Sequence, residues 1–142
     1  MKKIHYAKLT IAIIVIAAAI RILLALSHSV SGDACWHLSA ARFMAVENKI
    51  PLYEGLGRLE PFWAPPLFHF SAAFLYKTFN VISANAADLG MKLMSPIFGI
   101  LTIIISYLII RKLVNEKTAF YAMIFISFLP LSIDYNVLGY VE

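Results

Sequence analysis

The sequence predicts an all-α integral membrane protein, and three observations carry that prediction. Of its 142 residues, 61% are hydrophobic and 14% charged, whereas soluble domains run at about half and about a quarter. The apolar residues fall in long blocks rather than in alternation, as segments solvated by lipid do. Lysines and arginines stand singly or at the ends of those blocks, the arrangement of membrane flanks. The formal charge of +4 therefore does not point to nucleic acid, because no basic stripe interleaved with polar residues is present. Cys35 is the only cysteine, which excludes an internal disulfide and a thiolate zinc site.

The first predicted span is 9–27. Lys2, Lys3 and Lys8 flank it, Thr10 and Arg21 interrupt it, and its length of about 28 Å as a helix is enough to cross. Ala25-Leu26-Ser27 also has the small-residue character of a signal cleavage site, but Arg21 inside the apolar run argues for a retained anchor.

A mixed outer loop, 28–88, follows, with Pro51, Gly55, Gly57, Pro61, Pro65 and Pro66 as breakers. Within it Asp33 is a good N-cap for a helix over about 33–48. Trp36, Ala40 and Phe43 share one side of that helix, and Asp33, His37 and Ala41 another. The expected placement is along the membrane surface with the aromatic side down. A second loop helix, 66–80, starts on Pro65-Pro66, since proline is tolerated in a first turn. Its apolar stretch reaches only about 20 Å as a helix, against about 30 Å of hydrocarbon. It is therefore expected to be interfacial or re-entrant.

The second span is 89–110, with Lys92 near its start and able to snorkel. Arg111, Lys112 and Lys117 mark a cytoplasmic loop at 111–117. The third span, 118–133, is about 24 Å long as a helix, with Pro130 near its end, and an outer tail covers 134–142. Three crossings put both basic segments on the cytoplasmic side; a fourth at 67–79 would push the 111–117 loop out. The N-terminus is then cytoplasmic in the cell membrane. Asp33, Asp134 and Glu142 emerge together on the far face. Each also has a plain structural role available, Asp33 as a cap and the others as solvated acids.

The residues around these carboxylates carry a resemblance. The run Gly32-Asp33-Ala34-Cys35-Trp36-His37-Leu38-Ser39-Ala40-Ala41-Arg42, after a span containing Arg21, resembles the first outer loop of GT-C fold glycosyltransferases. It is most similar to the dolichyl-phosphate-mannose protein mannosyltransferase and aminoarabinose transferase group, glycosyltransferase family 39-like. Pro65-Pro66-Leu67-Phe68-His69-Phe70, Met91-Lys92-Leu93 and Tyr135-Asn136-Val137-Leu138-Gly139-Tyr140-Val141-Glu142 continue the likeness in order. It covers nearly all of this chain but only the N-terminal portion of a family member. Two positions depart: Ala34 stands where the group often has a second carboxylate, and Lys92 where it usually has arginine. The Asp33–His37 spacing is also similar to the oligosaccharyltransferase catalytic subunits, which use a divalent metal, whereas the mannosyltransferase-like group is held to need none, and the sequence leaves both options open.

The resemblance implies transfer of a sugar from a polyprenyl-phosphate donor to a protein, lipid or glycan acceptor, with inversion. The phosphate is already a good leaving group, so the chemistry needs a base on the opposite face to activate the acceptor hydroxyl. Asp33 is the candidate base, with Glu142 as a second catalytic carboxylate. His37, Arg58, Lys92 and Asp134 are candidate substrate contacts, the cations at Lys92 or Arg58 holding the donor phosphate. No resident cofactor is assigned. The isolated chain is expected to be incomplete and inactive. Each residue has a structural alternative: snorkelling for Arg21 and Lys92, an interface hydrogen bond for His37, packing for His69, and the membrane belt for Trp36 and Trp63. The competing reading is a small non-enzymatic membrane subunit or scaffold. A transporter fragment would want mid-span ionisable residues, and only Arg21 approaches that.

Overall fold

The structure, a computed structural model, describes residues 3–29, 33–53, 61–62 and 66–138. All regular elements among them are helical: α1 Lys3–Ser27, α2 Asp33–Glu47, α3 Pro66–Asn80, α4 Ala84–Lys92, α5 Met94–Leu113, α6 Glu116–Phe128 and α7 Pro130–Leu138. Among the described residues two segments are long and apolar enough to cross a membrane, Tyr6–Ser27 and Ala84–Leu113. The chain divides into two compact units, one formed by Met1–Ser27 and Ser95–Val137, the other centred on His28–Met94.

In the first unit α1 packs on α6. Ala17, fully buried, lets the backbones approach, as small residues do where lipid cannot drive helices together. Ile103, Tyr107, Ala119, Phe120 and Met123 complete the core, and Tyr6 meets Phe120 edge-on at 5.4 Å. Large apolar side chains on the other faces stay exposed: Leu9, Val15 and Leu23 on α1, Ile105 and Leu108 on α5, Phe125 on α6. That inversion suits a lipid solvent. α6 starts on Asn115, whose side chain accepts the Thr118 N–H at 2.8 Å.

Two prolines cut what hydropathy alone reads as continuous spans. Pro96 lacks an N–H for the Lys92 carbonyl, and the helix is interrupted at Leu93 between α4 and α5. Pro130 does the same in the predicted third span. Leu129, the residue before it, is extended at φ −63° and ψ 119°, the conformation a following proline imposes. The predicted 118–133 span is therefore two helices; α6 alone, with 13 residues, reaches about 20 Å.

In the second unit α3 lies between α2 and α4, which also touch each other. α2 closes on Asn48 at φ 55°, a left-handed cap that asparagine tolerates. Its amide bonds the Met44 carbonyl at 3.1 Å, and its side chain accepts from Lys77 on α3. α3 turns into α4 through Ser83, which caps the Ala86 amide at 3.1 Å. The α3–α4 approach is close at Gly90, where a Cβ would stand 2.7 Å from the Phe79 ring.

α2 does not lie aromatic side down. Trp36 is buried, its ring stacked on Phe62 at 5.6 Å, while Phe43 is exposed. His37 and Ala41, which share one face of α2, are both buried, so that face is turned into the unit. Phe62 reaches Trp36 because its amide bonds the Leu52 carbonyl at 3.0 Å, beside a bridge between Tyr53 and Pro61.

Candidate functional site

Two features of the second unit bring chemistry-bearing side chains together. The first is a pair of histidines. His37 on α2 and His69 on α3 are 1% and 0% exposed, and His37 Nδ1 lies 2.9 Å from His69 Nε2. One ring nitrogen donates and the other accepts. Rings enclose the pair: His69 meets Phe62 edge-on at 5.1 Å and Phe68 at 5.7 Å, and Trp36 packs on His37 at 4.5 Å. The histidine expected as a substrate contact is thus built into the α2–α3 core, with the loop's aromatics around it.

The second feature is an open pocket of about 390 Å³ between α2 and α4. Cys35, Leu38, Ser39 and Arg42 line it from α2, and Asn85, Asp88, Leu89 and Lys92 from α4. Both sets follow the i, i+3, i+4, i+7 rhythm of a single helix face. Lys92 donates to the His28 carbonyl, which holds it at the end of α4. Arg42 stands 3.9 Å from Asp88, both half-exposed, and its guanidinium covers the Tyr76 ring at 5.8 Å. An ion pair that long and that wet contributes about 0–1 kcal/mol, so a stronger anion could displace Asp88 from Arg42.

The remaining candidates are distributed. Asp33 opens α2, two residues before Cys35 of the pocket, and its side chain lies outside the described residues. Arg58 and Glu142 also lie outside them. Asp134 is exposed on α7, in the first unit. Among the described residues no group of three His, Cys, Asp or Glu side chains is placed to hold a metal ion.

Arg42 and Asp88 were not among the sequence candidates. The 35-38-39-42 stripe was available, but its partner stripe 85-88-89-92 straddles the boundary between the expected loop and span. The Ser83 cap is the signal that could have separated α4 from the span.

Arg21 is held by protein groups. It is 0% exposed, and its Nη1 donates to the Ser127 carbonyl at 3.0 Å and the Ala17 carbonyl at 3.3 Å, while Nη2 reaches Ser132 Oγ at 3.3 Å.

The chain is thus a small helical protein with two membrane-length apolar segments, and no family model, curated protein or solved structure matches it.

Proposed function

We propose that this chain is the N-terminal part of a membrane glycosyltransferase that moves a sugar from a polyprenyl-phosphate donor to an acceptor with inversion. The observation that carries the reading is the α2–α4 pocket. It sets two cations, Arg42 of α2 and Lys92 of α4, among apolar Leu38, Leu89 and Met91, and α2 begins at Asp33. A lipid phosphate needs that combination: positive donors for the head and apolar walls for the first isoprene units. In the reaction the acceptor oxygen bonds to the anomeric carbon and the sugar–phosphate bond breaks. The phosphate leaves with the electron pair, and the acceptor proton passes to the Asp33 carboxylate. α1, the α4–α5 segment and the broken α6–α7 segment are the three crossings of this reading, with the N-terminus cytoplasmic.

Binding separates this proposal from its rival. The purified chain in micelles is expected to bind a polyprenyl phosphate at least about tenfold more tightly than the polyprenol of equal length. Lys92→Ala and Arg42→Ala should each remove about tenfold, the worth of a charge-assisted contact. Equal binding of phosphate and alcohol would remove the donor site. The rival, a non-enzymatic scaffold, is favoured by one observation: Trp36, Phe62 and Phe68 pack around the histidine pair, so the loop's aromatics have a structural use. A scaffold shows no preference for the phosphate.

Topology has its own test in Cys35, the only cysteine and exposed. In intact cells a membrane-impermeant maleimide is expected to label it from outside. Labelling only after permeabilisation would invert the assigned orientation.

A further inference from the structure

The first unit contains an arrangement the glycosyltransferase reading does not use. α6 ends at Phe128 and α7 begins at Pro130, and the extended Leu129 turns the chain between them. In an unbroken helix the Ser127 carbonyl would accept the Leu131 N–H, four residues on. At the break it becomes one of the orphan carbonyls of a helix C-terminus. Ser127 is buried at 1% exposure, so water does not serve this carbonyl and protein must satisfy it. Arg21 does this, donating to the Ser127 carbonyl at 3.0 Å and, across the break, to Ser132 Oγ at 3.3 Å. Its third contact, the Ala17 carbonyl one turn back on α1 at 3.3 Å, ties the guanidinium to its own helix. A cation at a helix C-terminus also meets the negative end of the helix dipole.

We infer that Arg21 is a positioning residue that pins the discontinuous α6–α7 segment, its guanidinium standing in for the backbone donor that the Leu129–Pro130 break removes. Two costs cancel in this pairing: a buried cation in the first span and unpaired carbonyls in a later one. The direction in which α7 leaves α6, and hence where Asp134 sits, depends on a side chain from the opposite end of the sequence. This holds for the span itself and does not require Asp134 to touch a sugar.

The test is a double-mutant cycle between Arg21→Met and Pro130→Ala, read by equilibrium unfolding of the full chain in mixed micelles. Methionine keeps an unbranched stem without the donors. Pro130→Ala restores an N–H and frees Leu129 to become helical, so that the Ser127 carbonyl regains its backbone donor. With Pro130 in place, Arg21→Met is expected to lower the folded-to-unfolded ratio by about ten- to a hundredfold, the worth of hydrogen bonds to a charged group. In the Pro130→Ala background it should cost less than about threefold, or raise the ratio, since a buried charge is lost and its partner already served. Equal losses in both backgrounds would reduce Arg21 to ordinary packing and overturn the inference, as would no loss in either. If Arg21→Met alone does not fold, recovery of folding by adding Pro130→Ala supports the inference, and failure to recover sinks it.

Discussion

His69→Ala is expected to lower the stability of the purified chain by about 3–5 kcal/mol, the largest loss of any single substitution in the second unit. Two costs add. Removing an imidazole that is 0% exposed and ringed by Phe62 and Phe68 leaves a cavity, with a penalty of about 2–4 kcal/mol for a large-to-small change. It also strips His37 Nδ1 of the contact it makes at 2.9 Å, which costs about 1–3 kcal/mol for a buried polar atom. The two overlap, so the sum is an upper range. His69→Gln keeps a polar atom within reach of His37 and should lose about half as much. Thermal unfolding in micelles, followed through tryptophan fluorescence, checks this, because Trp36 packs on His37 at 4.5 Å. The expected fall in midpoint is on the order of 6–20 °C for a chain of this size. A midpoint within about 2 °C of the parent's would mean that the pair does not hold α2 to α3.

The helical class was legible because lipid imposes it. Only helices or closed barrels satisfy the backbone in a bilayer, and the apolar runs here are too long and unbroken for barrel strands. α3 was legible in the same way, from Pro65-Pro66 followed by an apolar run, and it begins at Pro66. What hydropathy cannot see is the backbone donor. Pro96 and Pro130 barely change the apolar content of their segments, yet each removes an N–H and interrupts a helix. The faces of α2 were misread for a related reason. Placing Trp36 on lipid presumed that nothing in the loop would cover it, whereas Phe62 stacks on it. Lys92 was identifiable as a lone cation beside an apolar block. Arg42, Asp88 and the His37–His69 contact were not, because each depends on pairing between helices that no local spacing encodes. Arg21 shows the same limit: its charge marked it, but Ser127 and Ser132, which it bonds across the unit, stand more than a hundred positions away.

Asp33→Asn is expected to abolish sugar transfer by the longer chain that the resemblance implies, with a loss of about 10²–10⁴-fold in turnover. The substitution separates the two roles open to this residue. Asp33 opens α2, and in the N-cap role that the sequence offers it asparagine serves about as well as aspartate. If capping is its only work, the Asp33→Asn variant folds, binds polyprenyl phosphate and transfers sugar as the parent does. If its carboxylate takes the acceptor proton, folding and binding persist while turnover falls, because an amide oxygen is far too weak a base for the step. Binding is the control that matters. The cations of the pocket, Lys92 and Arg42, lie on α4 and on α2 beyond its first turn, so donor affinity should change by less than about threefold, less than the roughly tenfold expected from losing a charge-assisted contact. A variant that binds the lipid phosphate, keeps the parental fold and still turns over at the parental rate would return Asp33 to a capping role and remove the proposed base.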